Sequence, residues 1–405
     1  MNSRKYILKI RNYIFLVLAF FPLMPYGILS VVTATFIFFS LISYSEKIVF
    51  NKSNYIKFLG FTGFYFTLLI SVFYSDDYGH GISILFRLLP LIIFPYLAIF
   101  HSYGLSKKVI ENGKKCFLIG SFLLLAAIYF IAFQELKVVG FDKLFYWATL
   151  TRSVKSIEFL DLHPNYMALY FALSIYLLID SKKLITVLKV GLIFVLGITI
   201  ILLSARAAFI SVIVSVILNL FLNSNLAKGG KVTLILIIIV FSFLLLRSNR
   251  YIQIGNSYKE MFKSEIISYQ EEPTSNEIRV LIIKCFKKIL RKDLFFGLGV
   301  GDLENRLDKC YVDSGNSFML KKTFNTHNNY LYLLGSAGIL GLLSFFHLLS
   351  ASFWRALKFN NRVFLMFMVT ISITLLFENI LSRSYGITFF SYFMYIFYLE
   401  TEKNE

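Results

Sequence analysis

The chain has 405 residues, of which 57 % are hydrophobic and 16 % are charged. The apolar residues stand in long runs separated by short polar stretches, and this arrangement indicates a polytopic membrane protein. The formal net charge of +18 could instead indicate binding to nucleic acid. A nucleic-acid-binding protein gathers its basic residues on one soluble face, whereas here they are scattered between apolar runs. Membrane topology therefore explains the charge better.

We predict an all-α membrane protein with about 12 transmembrane helices. The first apolar run continues past a plausible cleavage point, so we expect it to remain as a membrane helix rather than a removed signal peptide. The candidate spans lie at roughly 12–26, 28–44, 56–73, 82–101, 116–134, 163–180, 184–203, 205–222, 232–247, 327–351, 362–380 and 384–400.

Lysine and arginine are concentrated in the N-terminal segment and in every second loop. By the positive-inside rule both termini should lie in the cytoplasm. The chain then divides into membrane helices one to nine (1–247), a large outer loop (248–326) and membrane helices ten to twelve (327–405).

The outer loop is much longer than an ordinary connection, which suggests a function of its own. Within it, apolar residues alternate with basic ones at helical spacing, and this pattern predicts an amphipathic helix that lies on a membrane or caps a cavity. Cys285 and Cys310 both fall in this loop. An oxidising compartment would allow a disulfide between them, but spacing alone does not decide between a bridge and two reduced cysteines.

Six ionisable residues are predicted to face the outer compartment, and such a gathering near a membrane is a candidate site. They are His163, Arg206, Arg279, His327, Glu378 and Arg383.

Each of these residues also has a structural explanation. Arg206 and Arg383 could reach lipid headgroups from helix ends, and His163 could act as an N-cap ahead of its helix. Arg279 could be one more basic residue on an amphipathic face, and Glu378 could form an ion pair with Arg383. His327 could be a helix-start residue bonded to the backbone. The glycines at 335, 338 and 341 are interpreted as a packing stripe for a neighbouring helix.

The residue types suggest a chemistry without a metal. No group of side chains has the spacing of a metal site, and no glycine-rich phosphate loop follows a strand. An outer-face enzyme would need a substrate that is already activated, such as a sugar linked to a lipid pyrophosphate. Arginine binds phosphate through paired hydrogen bonds, and histidine can accept a proton from a sugar hydroxyl near neutral pH.

Three segments resemble the O-antigen ligase and O-antigen polymerase superfamily. "THNNYLYLLGSAGILGLL" is similar to its histidine-asparagine segment with a following glycine-bearing helix, and "SARAAF" is similar to its arginine turn. "EIRVLIIKCFKKILRKDLFFGLGVGD" is similar to its arginine-led loop helix, which ends in a glycine turn. The order of these segments and the predicted topology also match the family.

The resemblance implies a glycosyltransferase of the bacterial inner membrane, with its site facing the periplasm. It implies metal-independent, inverting transfer of a glycan from undecaprenyl pyrophosphate, with no cofactor. Arg206 and Arg279 would bind the pyrophosphate, and His327 would be the catalytic base. Glu378, Asn328 and Asn329 would support these residues. His163 and Arg383 are added as supporting candidates because they belong to the group of ionisable residues predicted at the outer face.

The resemblance leaves three functions open. The first is an O-antigen ligase that transfers the glycan to lipid A-core during lipopolysaccharide biosynthesis. The second is a polymerase that joins lipid-linked repeat units. The third is a transporter of lipid-linked sugar, although a transporter would be expected to show internal repeats and polar residues near mid-membrane. The glycan, the acceptor and the oligomeric state are not determined by the sequence.

Overall fold

The computed structural model describes residues 2–43, 51–101, 105–140, 150, 157, 160, 162–181, 184–222, 275–291, 293–316, 319–320 and 324–402. The described part of the chain consists of helices and connecting turns, without β-strands. The predicted all-α fold is therefore confirmed for these residues.

The described residues form fourteen α-helices and two short 3₁₀ turns, Phe21–Leu23 and Ile380–Ser382. The helices are α1 (Asn2–Leu18), α2 (Tyr26–Ile42), α3 (Lys52–Val72), α4 (Tyr78–Leu88), α5 (Pro90–Phe100), α6 (Lys107–Val139), α7 (Pro164–Asp180), α8 (Thr186–Leu202), α9 (Arg206–Leu222), α10 (Ser275–Leu290), α11 (Leu303–Asp313), α12 (Asn329–Lys358), α13 (Arg362–Thr374) and α14 (Ser384–Glu402).

Four helical segments are long and apolar enough to cross a membrane, namely Lys52–Val72, Tyr78–Phe100, Lys107–Val138 and Asn329–Lys358. Shorter apolar helices accompany them at Tyr26–Ile42, Thr186–Leu202, Arg206–Leu222 and Arg362–Thr374. The predicted span at 232–247 lies outside the described residues. The total of about 12 spans and the periplasmic position of the long loop stay predictions.

Two of the predicted spans are broken rather than continuous. The span predicted at 82–101 consists of α4 and α5, because Pro90 has no N–H group to continue the helical hydrogen bonds and so begins a new helix. Within α12 the backbone leaves the helical conformation at Gly338, where φ is 67° and ψ is −163°. At both breaks, backbone N–H and C=O groups leave the helical hydrogen-bond pattern inside the bundle, where neighbouring protein groups can provide hydrogen bonds for them.

Two helices, α7 and α14, form the centre of the bundle. Nearly every side chain from Tyr166 to Leu178 is buried, and the same holds from Tyr385 to Leu399. A helix that is apolar on all sides is stable only when it is surrounded by other helices or lipid. These two helices therefore fix the positions of the elements that surround them.

Small residues allow α3 and α12 to approach closely. A Cβ atom at Gly60 would lie 2.9 Å from His347 Nε2, and one at Gly63 would lie 3.4 Å from Ser344 Cβ. Small residues at such contacts are typical of helix pairs in membranes. These contacts fix the part of α12 that follows the break at Gly338.

The helices have two distinct ends. The last residues of α7 and α9 meet the first residues of α8 and α13 around one cavity, whose lining includes Asp180, Thr186, Asn219 and Arg362. Since α9 and α13 therefore run in opposite directions, the start of α9 and the end of α13 lie together at the other end of the bundle. We call that other end the site face.

Candidate functional site

The amphipathic helix predicted in the long loop is present as α10, and it packs on protein. Ile282, Cys285 and Phe286 are buried, and a Cβ added at Gly335 of α12 would lie 2.8 Å from the Phe286 ring. The apolar face of α10 thus covers the start of α12.

A disulfide joins α10 to α11. Cys285 and Cys310 are bonded, with their Cα atoms 5.8 Å apart, while Cys116 is a free thiol. The sequence left the two loop cysteines open between a bridge and reduced thiols, and the structure has the bridge. It fixes the helix that carries Arg279.

The glycine segment after α10 joins the break in α12. The N–H of Leu298 donates to the carbonyl of Gly335 at 2.7 Å, and the N–H of Gly299 donates to that of Ser336 at 3.1 Å. Gly338, with its φ of 67°, allows this approach because a Cβ there would collide with the carbonyl of Phe295. The interpretation of the α12 glycines as a packing stripe for a neighbouring helix is confirmed at Gly335, which packs against side chains of the helices α10 and α11. It is wrong at Gly338, where the neighbour is the loop backbone of Phe295 and Phe296.

The start of α11 is anchored to the turn between α3 and α4. The buried carboxylate of Asp302 accepts the backbone N–H groups of Asp76 at 2.7 Å and Asp77 at 2.8 Å. Arg306 also lies 3.3 Å from the Asp76 carboxylate. The loop domain is therefore held by charged hydrogen bonds as well as by the disulfide.

His327 lies in a sharp turn immediately before α12. Its φ is 46°, which is unusual for a residue other than glycine. Its N–H donates to Asn325 Oδ1 at 3.0 Å. This backbone conformation is less favourable than the common ones by about 1–3 kcal/mol of free energy, and it persists only where the surrounding structure requires it.

Two asparagines fix this turn. Asn328 Oδ1 accepts the N–H groups of Tyr330 at 2.9 Å and Leu331 at 3.0 Å, so Asn328 is the N-cap of α12. Asn329 is buried, and its Oδ1 accepts the N–H of Leu381 at 3.1 Å. Both amides hydrogen-bond to backbone, and their predicted contact with substrate stays a prediction.

A second pair of polar side chains links this turn to the end of α13. Thr326 Oγ1 donates to the carbonyl of Asn328 at 2.8 Å, and Asn379 Nδ2 donates to Thr326 Oγ1 at 3.0 Å. Both side chains are buried. Sequence analysis did not select either residue, although Asn379 directly follows the predicted Glu378.

Glu378 lies between Arg279 and His327. Its Oε1 accepts a hydrogen bond from Arg279 Nη2 at 2.8 Å, and its Oε2 lies 3.5 Å from His327 Nδ1. The side chain of Glu378 is 20 % exposed, that of Arg279 is 31 % exposed and that of His327 is 30 % exposed. We call these three residues the Glu378 cluster. The structural alternative of a Glu378 ion pair with Arg383 is replaced by these contacts.

The electrostatics of the cluster keep its carboxyl charged. Burial, the largest single influence, raises the pKa of Glu378, but the neighbouring imidazole of His327, together with Arg279 and His163, outweighs it. The pKa of Glu378 therefore lies below its ordinary value. A carboxylate beside the Nδ1 side of an imidazole favours a proton on Nδ1 and leaves Nε2 as the acceptor.

The other predicted residues lie at the same face. His163 is the N-cap of α7, with its Nδ1 accepting the N–H of Asn165 at 3.3 Å, and it lies within electrostatic range of Glu378. Arg383 is exposed after the 3₁₀ turn. Arg206 is half-buried at the start of α9, which the antiparallel α9–α13 pair places at the site face.

One further residue near the site was not predicted. Tyr166 is buried in α7 and lies within electrostatic range of both Arg383 and Glu378. It lies in the first turn of α7, three residues after the N-cap His163. Its nearness to His163 was a usable signal in the sequence.

The described residues thus form an apolar helical bundle with a cluster of ionisable side chains at one end, an arrangement typical of a membrane protein. Residues 190–346 match the family model described as O-antigen ligase. This match confirms the resemblance noted in the sequence: the matched region, which is less than half of the chain, is similar to an O-antigen ligase domain. The matched region includes Arg206, Arg279 and His327, whereas Glu378 and Arg383 lie beyond it. No curated protein matches the chain.

Proposed function

We propose that this chain is a membrane glycosyltransferase that moves a glycan from undecaprenyl pyrophosphate to an acceptor hydroxyl, with lipid A-core as the acceptor. The observation that carries the proposal is the Glu378 cluster. It brings a cation suited to phosphate and an imidazole suited to proton transfer to one carboxylate at the mouth of α12.

In the proposed reaction, His327 Nε2 accepts the proton of the acceptor hydroxyl. The hydroxyl oxygen forms a bond to the anomeric carbon as the bond from that carbon to the pyrophosphate oxygen breaks. Undecaprenyl pyrophosphate leaves from the opposite side, so the configuration inverts. General-base assistance of this kind typically contributes about 10²–10⁴-fold to the rate.

Glu378 is the positioning residue for His327 in this proposal. Its carboxylate lies 3.5 Å from Nδ1 and can hold the imidazole in the tautomer that leaves Nε2 free to accept a proton. A tighter contact on substrate binding is expected, since catalytic hydrogen bonds are often long in the free enzyme.

Arg279 would have two partners. One of its guanidinium nitrogens, Nη2, contacts Glu378, and a guanidinium carries five N–H donors in a planar fork. The remaining donors would bind the pyrophosphate together with Arg206, and their charge would stabilise the leaving group. His163, Arg383, Asn328 and Asn329 are proposed to support the sugar or phosphate.

We place the site on the periplasmic side of the bacterial inner membrane and both termini in the cytoplasm. The disulfide between Cys285 and Cys310 supports this orientation, because disulfides persist in the periplasm and are rare in the cytoplasm. Single cysteines can test it in a cysteine-free variant. An impermeant thiol reagent added to intact cells should label the α10–α11 loop but not the C-terminal segment, and the reverse pattern would contradict the orientation.

The absence of a cofactor and a metal from the reaction is a further part of the proposal. Chelator added to the purified protein with a lipid-linked donor should leave the rate unchanged. Loss of activity that a divalent ion restores would contradict metal independence.

A polymerase that joins lipid-linked repeat units is the second candidate, because the matched family description does not separate it from a ligase. The lipopolysaccharide of a strain that lacks this chain distinguishes the two. Core without even one repeat unit is the result expected for a ligase. Core that retains a single repeat unit, with all longer chains lost, would identify a polymerase instead.

A further inference from the structure

Three adjacent apolar side chains are exposed in the connection between α10 and α11. Leu294 is 51 % exposed, Phe295 is 63 % exposed and Phe296 is 65 % exposed. We call these three residues the Phe295 segment. An exposed apolar patch of this kind commonly marks a surface that contacts a protein or a membrane.

The backbone of the Phe295 segment is bonded to two apolar helices. The carbonyl of Leu294 accepts the N–H of Ile339 in α12 at 3.1 Å. The carbonyl of Phe296 accepts a hydrogen bond from the hydroxyl of Tyr74, which follows α3. Irregular backbone at membrane depth needs hydrogen bonds from protein or water, and protein supplies them to these two carbonyls.

The contact with α12 gives the depth of the Phe295 segment. At the far end of this helix, the Lys358 ammonium lies 4.9 Å from the centre of the Trp354 ring, and both residue types are typical of a membrane interface. Ile339 precedes Trp354 by 15 residues, which is about 23 Å at 1.5 Å per residue. The hydrocarbon core of a membrane is about 30 Å thick. The Phe295 segment therefore lies just inside the hydrocarbon of the leaflet at the site face.

The helix α3 places the Phe295 segment at the same depth. Phe73 at the end of α3 follows Lys57 by 16 residues, which is about 24 Å along the helix. Phe73 is exposed, and so are Leu340 and Leu343 in α12. The Phe295 segment thus lies beside apolar side chains that two membrane helices expose at this level.

Charged neighbours limit how far the Phe295 segment can enter a membrane. Arg291 and Asp293 come directly before it, and both are exposed. These side chains belong at the level of the lipid head groups, where arginine can bind phosphate. The arrangement suits shallow insertion, about 5–10 Å into the boundary between head groups and acyl chains.

We propose that the Phe295 segment inserts its three side chains among the acyl chains of the leaflet at the site face. The partner is the bilayer rather than a protein, because the helices that hold the segment expose apolar side chains at the same depth. Insertion would hold the end of α10, the helix that carries Arg279, at the membrane surface. The inference depends on the membrane position of α3 and α12 and not on the proposed glycan transfer.

Tryptophan fluorescence in vesicles tests this inference on the full-length protein. The two native tryptophans are replaced by phenylalanine, and the variant Phe295→Trp is reconstituted into phosphatidylcholine vesicles. Some vesicles carry bromine near the top of the acyl chains and others carry it near the chain ends. Bromine near the top should remove most of the emission, because the expected depth is about 5–10 Å. Iodide in the buffer should quench little, since it does not enter the hydrocarbon.

Two control positions define the outcomes of this experiment. Leu343→Trp lies deeper on α12 and should be quenched more strongly by bromine near the chain ends. Val312→Trp is an apolar position of similar exposure, at 45 %, but it lies in α11 between the charged residues Lys309 and Asp313. It should be quenched by iodide and not by bromine. Phe296→Trp repeats the test with a second variant of the segment, and thermal unfolding verifies that each variant is folded.

Quenching of Phe295→Trp and Phe296→Trp by iodide, to the same extent as Val312→Trp, would overturn the inference. Protection of both from iodide and bromine alike would also overturn it, because protein would then cover the segment. So would a lack of bromine quenching at Leu343→Trp, since α12 would not have the membrane position assigned to it. An inserted segment in a chain without transferase activity would refute the proposed function alone.

Discussion

The substitution Glu378→Gln separates the charge of the Glu378 cluster from its shape. Glutamine has nearly the same size, and its amide oxygen can still accept a hydrogen bond from Arg279. It cannot, however, stabilise a positive charge on His327 as a carboxylate does. The substitution should therefore leave the fold largely intact and reduce catalysis.

The distances give the expected magnitudes. The 2.8 Å contact to Arg279 is a charge-assisted hydrogen bond, and such bonds contribute about 1.5–3 kcal/mol. Partial exposure and the remaining neutral hydrogen bond reduce the loss of stability to about 1–2 kcal/mol. If Glu378 positions His327 as a general base, the rate of glycan transfer should fall by about 10²-fold.

The assay is glycan transfer by purified protein from a lipid-linked donor, with thermal unfolding measured in parallel. Glu304→Gln is the matched control, because Glu304 also lies close to a histidine at this face, 3.7 Å from His80. The control should transfer glycan within about twofold of the wild type. A Glu378→Gln variant as active as the control would refute the positioning role.

The difference in thermal stability between the wild type and Glu378→Gln should depend on pH. The pKa of Glu378 is lowered in the folded state, so its contribution to stability is complete above the unfolded value of about 4.3 and is lost as the pH falls through the folded value. The difference in Tm between wild type and Glu378→Gln should thus be constant above about pH 5 and shrink on acidification. A difference that grows as the pH falls would contradict the assigned direction.

Three further predictions concern the arginines, the disulfide and the broken helix. Arg206→Lys and Arg279→Lys keep the charge but lose the planar fork, so each should reduce transfer by about tenfold or more while the protein accumulates normally; wild-type activity in the double variant would remove both from phosphate binding. Cys285→Ser removes a disulfide whose two cysteines are 25 residues apart, and it should lower the free energy of unfolding by about 3–4 kcal/mol. The loss should appear as faster proteolysis of the outer loop, and unchanged proteolysis would contradict the prediction. Gly338→Ala should destabilise the protein by at least about 3 kcal/mol in thermal unfolding. Gly197 has open space around it, so Gly197→Ala should be neutral or slightly stabilising. Equal effects of the two substitutions would show that Gly338 is not required for the break in α12.

Apolar runs in the sequence predicted most of the described membrane helices, because a run of about 20 apolar residues has the length that a membrane helix needs. The amphipathic pattern of α10 predicted a helix that the structure contains at Ser275–Leu290. The pattern did not predict that its apolar face packs on protein, because the same apolar side chains suit contact with lipid and contact with protein. The break at Gly338 was also missed, since a glycine that packs and a glycine that bends look alike in one sequence.

The site was predicted in its members but not in its pairings. Local signals identified Arg279, His327 and Glu378 separately, since each stands out as an ionisable group beside an apolar run. Their contacts connect positions that are about 50 to 100 residues apart, and no local pattern specifies such pairs. Asn379 and Thr326 were missed for a related reason, because a neutral polar residue gains meaning only from its partner.

Glycan transfer by the variant His327→Ala tests directly whether His327 is the catalytic base. The purified variant is supplied with a donor linked to undecaprenyl pyrophosphate and with lipid A-core, and its rate is compared with those of the wild type and of His80→Ala, a histidine at the same face that faces Glu304. We predict a rate at least about 10²-fold below the wild type for His327→Ala, with normal thermal unfolding of this variant. The rate of His80→Ala should be close to that of the wild type. Transfer by His327→Ala at the wild-type rate would contradict the account.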